Sequence, residues 1–302
     1  MPLLDGALRR APAELREHIL RQAAIDLGVS TLTFEGELGT FEGDARDRVV
    51  HAGYVASRTW APEFHAIARR IFAAGGGTLI DVGANIGLTS IPLAKARNVT
   101  CHAFEPDPTN HRLLVRNIGA NGADGLVTAY PLAAMDRDGA FELERSRDNM
   151  GDHRIRVSGA AAGAFGEQAR QVVKVEARRL DSVLAGKTLA SPVLLKVDVQ
   201  GAEARVLRGA AGILGAVDHV FCEYWPYGLV RMGDTAAAFF EALSGFGYGC
   251  IVSPDGAPPL EPVGQLLPRV QQAIPAEGGS TAHLDLLLSR HPVLNAAGTR
   301  DR

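Results

Sequence analysis

The stretch Leu79-Ile80-Asp81-Val82-Gly83-Ala84-Asn85-Ile86-Gly87-Leu88-Thr89-Ser90 decides the fold. With Thr78 it opens as a short apolar run of strand length. Gly83 and Gly87 then permit a tight turn and a close approach of backbone to a ligand, and helical spacing takes over near Leu88–Ser90. Pro92 requires that late start, because deeper in a helix it would remove a hydrogen bond. Strand, glycine turn and helix in this order form the opening unit of a parallel α/β sheet, in which ligands bind outside the carboxyl ends of the strands.

Working outward, short apolar runs alternate with helical patterns, the rhythm of a sheet covered on both faces. Strands are expected at Thr78–Val82, Val99–Phe104, Leu126–Pro131, Val193–Val197, His219–Cys222, Tyr248–Val252 and His283–Leu288. This predicts a Rossmann-like, mostly parallel sheet of those seven strands. Between the third and fourth strands, residues 137–180 contain two further β-like runs, Ala140–Glu144 and Val172–Ala177. The segment is too long for a simple crossover and is expected to lie over the carboxyl edge of the sheet as a lid. Upstream, Leu15, Ile19, Leu20, Ala23 and Ala24 predict an amphipathic helix over 11–27. Thr31–Glu42 and Arg48–Ala56 read as a small β-rich lead-in, and Thr59 as the cap of a helix running to about Ala74. The organisation expected is a lead-in over 1–58, a core domain over 59–292 and a frayed tail over 293–302.

Composition narrows the classes. A hydrophobic fraction of 46% with 22% charged residues suits a folded soluble protein rather than a disordered one. The formal charge of −3 gives no reason to expect nucleic acid as a partner. Cys101, Cys222 and Cys250 are too widely spaced for a zinc or redox motif and read as buried residues in a reducing compartment. Neither a secretory leader nor a membrane span is visible, so a cytoplasmic protein is expected.

The second strand, VTCHAFEP, ends in Glu105, where a carboxylate can accept both hydroxyl hydrogens of a ribose. Pro106 breaks that strand and Asp107 can cap the next helix. A dinucleotide fingerprint needs a middle glycine for the pyrophosphate, whereas this turn reads Gly83-Ala84-Asn85-Ile86-Gly87. With Asp81 before it, the turn better suits a cationic sulfonium ligand with an amino acid tail.

At this point the blocks DVGANIG (81–87), FEPDPTNHRLLVRNIGAN (104–121), LDSVL (180–184) and LLKVDVQGAEARVLRGA (194–210) resemble the FkbM family of methyltransferases. The resemblance runs from about Trp60 to Tyr248. It implies a class I methyltransferase fold, S-adenosyl-L-methionine as cofactor and O-methylation. It further implies Asp81, Gly83, Ala84, Asn85 and Gly87 around the methionine moiety, with Glu105 and Pro106 at the ribose. Ala133, Ala134 and Asp136 are implied at the adenine. Where the family often has DxEGxE, this chain has Asp198-Val199-Gln200-Gly201-Ala202-Glu203, so Gln200 removes one carboxylate.

Asp198 ends the strand next to the first and is expected near the transferred methyl group, as cofactor contact and as base for an alcohol. Lys196, on the same face but deeper, is expected to pair with a carboxylate. Asn149 and His153 belong to a block of the insertion expected to close over the acceptor, with His153 a second candidate base. Gln200, Glu203, Glu223, Tyr224 and Trp225 are candidate acceptor contacts at the same edge. Asp198, Glu203, Glu223 and His153 could also assemble around a metal, but their spacing does not demand one and none is assigned. The acceptor expected is a hydroxyl on a small molecule, glycan or polyketide-like natural product. Competing readings are a nucleotide-binding oxidoreductase and a non-catalytic cofactor-binding scaffold; the oligomeric state, a homodimer included, is open.

Overall fold

A computed structural model of the chain describes residues 26–157, 165–254, 257–274 and 282–293, with Pro12, Leu15, Ile19, Gln22 and Ala23. Most of the helix expected over 11–27, and the tail from 294, lie outside the described residues. Strands β1 (Thr31–Gly36) and β2 (Gly39–Asp44) pair as an antiparallel hairpin. The second half of the expected β-rich lead-in is instead a helix, α1 (Val50–Ser57). Asp47 decides this. Its carboxylate accepts from the backbone N–H groups of Val49, Val50 and His51 at 3.0, 3.1 and 2.9 Å, satisfying donors that a helix start leaves free. That cap, and the burial of Val50, Tyr54 and Val55, override the strand preference of the β-branched residues. Helix α2 (Pro62–Ile71) is not capped by Thr59; its N-cap is Ala61, and Pro62 fills the first helical position.

The α/β core begins with β3 (Thr78–Val82), α3 (Ser90–Arg97), β4 (Thr100–Phe104), α4 (Pro108–Ala120) and β5 (Val127–Tyr130). The insertion follows as β6 (Ala133–Ala134), β7 (Gly139–Arg145), β8 (Arg154–Ile155) and β9 (Gln171–Arg178), a separate sheet of order β6-β9-β7-β8. After α5 (Leu180–Leu184) come β10 (Val193–Val197), α6 (Glu203–Gly209), β11 (His219–Tyr224), α7 (Pro226–Arg231) and α8 (Ala236–Leu243). The chain closes with β12 (Tyr248–Ile251), β13 (Glu261–Pro262), α9 (Val263–Ala273) and β14 (Leu284–Ser289).

Among the described residues the main sheet has eight strands rather than the seven expected, in the order β13-β12-β14-β11-β10-β3-β4-β5. The additional strand, β13, spans only Glu261–Pro262, too short to carry a period. Strands β11, β10, β3, β4 and β5 run parallel, and β14, β12 and β13 extend the sheet antiparallel. Alternation along the strands sends Leu79, Cys101, Leu194 and Phe221 into one hydrophobic cluster and Ile80, Val82, Leu195 and Val197 into the other. Both faces are covered, which is why these strands read as continuous apolar runs. Cys101, Cys222 and Cys250 are buried and unpaired. No helix among the described residues is long and apolar enough to cross a membrane.

The hairpin docks on α4 through amide side chains. Asn117 Oδ1 accepts from Glu42 N at 2.8 Å while its Nδ2 donates to Glu42 O at 3.0 Å. Asn121 repeats the pattern on Thr40, at 3.1 and 2.7 Å. Two asparagines thus complete the backbone pairing of β2, whose edge would otherwise be open.

Asp47 also accepts from Met150 N at 3.3 Å, so one buried carboxylate serves the lead-in and the insertion together. Asp47→Ala is expected to lower stability by about 2 kcal/mol, through loss of the cap and of a charge-assisted bond. Urea unfolding followed by circular dichroism measures this, and an unchanged midpoint would contradict it.

Candidate functional site

The chain runs from β3 outward through β4 and β5, then returns to β10 on the other side of β3. Between β3 and β10, therefore, the order reverses and a crevice opens at the carboxyl edge. Lys196 and Asp81 face each other across this boundary as partners in the parallel ladder. Their charged atoms lie 3.3 Å apart with both side chains buried, and Lys196 reaches Asp198 at 3.5 Å. Burial opposes the lysine charge, but the two carboxylates more than offset it and hold its pKa above the usual range. The second Asp81 oxygen accepts from the hydroxyls of Thr89, at 2.6 Å, and of Ser90, fixing the start of α3.

The turn after β3 is anchored on β4: Gly83 N and Ala84 N both donate to Phe104 O at 3.0 Å. Gly83 has φ +86° and lies so close to the Asp198 carbonyl that a Cβ would strike it, so no other residue fits. Asn85, at φ +51°, donates from its backbone to Glu105 Oε2 at 2.8 Å, and Asp107 N donates to Glu105 Oε1 at the same distance. Asp107 caps α4 as expected, accepting from Thr109 N and Asn110 N. Burial pushes the Glu105 carboxyl up to about 8, against those two backbone donors.

A cavity of about 620 Å³ opens over this edge, a size suited to a cofactor-like ligand. One half of its wall, over β3, β4 and β5, includes Gly83, Ala84, Asn85, Glu105, Pro106, Ala133 and Ala134. The other half, over β10, β11 and β14, includes Asp198, Gln200, Glu223 and Trp225. The insertion roofs it with Asn149 and His153. Met150 holds the roof down: its carbonyl accepts from Asn85 Nδ2 at 2.7 Å and from Asn110 Nδ2 at 2.9 Å. Asn85 Oδ1 and Asn110 Oδ1 are buried without partners, so both amides keep an acceptor for a ligand. The spare oxygens of Asn85 and Asn110, the buried Glu105 carboxylate and the cradle at Gly83 fit the amino acid and ribose parts of S-adenosylmethionine.

Five expected contacts fall elsewhere. Asp81 lies beneath the floor, used by Lys196, Thr89 and Ser90. Gly87 packs against Ile91 and Leu114, past the bend of the turn. Asp136 points to Arg208 at 3.3 Å, and its neighbour Met135 takes the place on the wall. Glu203 turns back to accept from Val199 N and Gly201 N at 3.0 and 3.1 Å, closing the loop after β10, and burial pushes its carboxyl up to about 7. Tyr224 is fully buried against Phe239 and Phe240, because alternation along β11 gives the cavity face to Phe221 and Glu223. His153 lines the wall, but its Nδ1 accepts from Ser146 N at 3.1 Å and its Nε2 faces Asp107, in the cofactor half. Burial lowers its pKa, which the Asp107 charge only partly opposes. No group of three or more His, Cys, Asp or Glu among the described residues is arranged to hold a metal.

Sequence reading missed Arg154 and Asp285. Arg154 is 2% exposed, lies over the rings of Phe165 and Trp225, and pairs with Asp152 and Glu167 at 2.5 and 2.8 Å. One arginine among many gives no signal. Asp285, a lone charge in the apolar run Leu284–Leu288, did give one.

Fold and site together define a Rossmann-like protein with a cofactor-sized cavity at its switch point. The sequence profile described as the Methyltransferase FkbM domain matches residues 81–241, more than half of the chain. The chain belongs to this FkbM methyltransferase family, and its cofactor is S-adenosylmethionine. It is similar to the hexuronic acid methyltransferase AglP of Haloferax volcanii, at 28% identity over 48% of this chain and 54% of that one. It is also similar to the methyltransferase sdnD of Sordaria araneosa, at 32% identity over 43% of this chain and 59% of that one. The chain thus spans only a little over half the length of these relatives. A crystal structure of an FkbM methyltransferase from Methylobacillus flagellatus aligns over 78% of this chain and 60% of that one, with 12% identity and a TM-score of 0.41.

Lys196→Met would leave Asp81 buried without its cation and is expected to cost about 3–5 kcal/mol of stability in urea unfolding. A loss within about 1 kcal/mol would show that the pair contributes little.

A second expectation concerns pH. Glu105 and Glu203, raised to about 8 and about 7, hold protons in the folded state that the unfolded chain releases near 4.5. Their contribution to stability is full below that value and is lost as pH rises through 7 and 8. His65 and His219, which burial pushes down to about 4, act in the opposite sense, but their effect is complete above 6.5. The Tm of the unliganded protein should therefore fall from about pH 6.5 to about pH 8.5; a rise over that window would show that these carboxyls are not buried as described.

Proposed function

We propose that the protein transfers a methyl group from S-adenosylmethionine to a hydroxyl of a small molecule, with a sugar or polyketide-like natural product as acceptor. The observation that carries the reading is one cavity lined by the Gly83 turn, by Glu105 and by Asp198 together. Family membership supports the methyl transfer, and the name of the Haloferax volcanii relative supports a sugar.

When bound, S-adenosylmethionine supplies an electrophilic methyl carbon on a sulfonium sulfur. Glu105 would hold the ribose, each carboxylate oxygen accepting one hydroxyl hydrogen beside its backbone donor. Asp198 would accept the acceptor's hydroxyl proton as the carbon–oxygen bond forms and the carbon–sulfur bond breaks. Lys196 at 3.5 Å and Gln200 Nε2 at 3.1 Å orient that carboxylate without occupying all its lone pairs. In place of the glutamate frequent in the family, Gln200 thus gives Asp198 a donor rather than a second negative charge. The roof held by Met150 excludes water and sets the approach of the two reactants. Asp198, rather than His153, serves as base, because the histidine ring is turned to the α4 cap.

Calorimetry with S-adenosylhomocysteine tests the reading. Binding is expected for the wild type, with affinity reduced at least about tenfold in Glu105→Ala. Asp198→Asn should keep cofactor affinity while losing transfer of labelled methyl to an extract. Binding of NAD in place of S-adenosylhomocysteine would overturn the proposal in favour of an oxidoreductase. A wild type that binds cofactor but methylates nothing would favour a scaffold.

A further inference from the structure

The acceptor half of the cavity gathers carboxyl groups, two of which the protein leaves without a close cation. Glu223 and Asp285 are partners in the antiparallel ladder of β11 and β14, so two acidic side chains stand directly opposite on one face and cannot both ionise without repelling each other. Such a pair destabilises a sheet. Both line the cavity, as do Asp198 and Glu63. Glu223 Oε2 is buried without a hydrogen-bond partner, and Oε1 has His283 Nε2 no closer than 3.7 Å. The cations nearby are engaged elsewhere: Lys196 with Asp81 and Asp198, and Arg154 with Asp152 and Glu167. Burial pushes the Asp285 carboxyl up to about 6 and that of Glu223 well above the usual range, with Asp198 adding to both.

A second, independent observation points to a ligand in the same place. Trp225 is 4% exposed, lines this wall, and its Nε1–H has no partner. A buried indole N–H normally finds an oxygen. Trp60, Phe64 and Phe221 complete the surface with aromatic faces. The carboxylates are not arranged to hold a metal ion among the described residues. An ammonium group, with three donors on a rotatable stem and an affinity for aromatic faces, has no such need for a tight polyhedron.

Resting on the hydroxyl-methylating reading above, we propose that the acceptor is an amine-bearing molecule. Its ammonium lies between Glu223 and Asp285, its reacting hydroxyl meets Asp198, and a further oxygen accepts from Trp225 Nε1. The same wall rejects an anionic acceptor, whose carboxylate would enter a field of like charge.

The test uses three probes that share one ring and differ in charge: glucosamine, glucose and glucuronate, titrated calorimetrically into the protein saturated with S-adenosylhomocysteine. Glucosamine is expected to bind at least about tenfold tighter than glucose, and glucuronate more weakly than either. In the double variant Glu223→Gln, Asp285→Asn, glucosamine and glucose should bind within about twofold of each other, with S-adenosylhomocysteine affinity retained. Removing opposed charges should not unfold the sheet, and Asp285→Asn alone should give an intermediate preference. The inference is overturned if glucosamine binds no tighter than glucose, if glucuronate binds as well as either, or if none of the three binds while S-adenosylhomocysteine does. Failure of S-adenosylhomocysteine itself to bind would instead overturn the methyltransferase reading.

Discussion

The buried contact between Lys196 and Asp81 is the constraint on which the site depends. Charges so far from water persist only when paired and hydrogen-bonded, and here every participant is accounted for. Asp81 is fixed by a lysine and two hydroxyls, and Lys196 by two carboxylates. Because the two residues are direct partners across β3 and β10, the pair sets the register at the place in the parallel run where the strand order reverses. The cofactor turn leaves β3 one residue after Val82, and Asp198 leaves β10 directly after Val197. Both halves of the cavity are therefore referenced to one ion pair in the floor.

The roof is held differently. Met150 is gripped by Asp47, Asn85 and Asn110, residues from the lead-in, the cofactor turn and α4. Farther out, Arg231 pairs with Glu144 and Arg154 with Glu167, and all four side chains are nearly buried. Tyr227 adds a hydroxyl to Glu167 at 2.7 Å. Lifting the inserted sheet would uncover these charges together, so its position over the cavity is braced by a network rather than hung on a flexible loop.

Much of this was legible in the sequence because the relevant signals were local. Strand, glycine turn and helix follow one another within 78–97, and the ends of β4, β5 and β10 bring their residues to the edge automatically. The failures share a cause in longer-range or competing interactions. The run 48–56 reads as a strand from its own β-branched and aromatic residues, whereas the carboxylate that makes it a helix, Asp47, lies just outside it. Tyr224 stands in sequence between two residues of the edge, Glu223 and Trp225, yet strand alternation sends it to the core. Asp285 stands in plain view within an apolar run, but its meaning depends on an antiparallel return beside Glu223 that no local pattern announces. The buried Arg154 is as hard to read, since apart from its near neighbour Asp152 its partners Glu167, Phe165 and Trp225 lie farther along the chain.

The docking of the hairpin on α4 has a geometric consequence. Asn117 and Asn121 are four residues apart, a helical rise of about 6 Å. Thr40 and Glu42, which they bind, are two residues apart, a strand rise of about 6.7 Å. The near-match lets one helix act as a ruler for one strand, and a slip of the strand by a single residue would put both amides opposite the wrong backbone groups. The far end of that ruler is Asp107, whose backbone N–H holds Glu105. The hairpin is thereby measured from the same helix that positions the ribose carboxylate, and the lead-in becomes part of the gauge of the cofactor site.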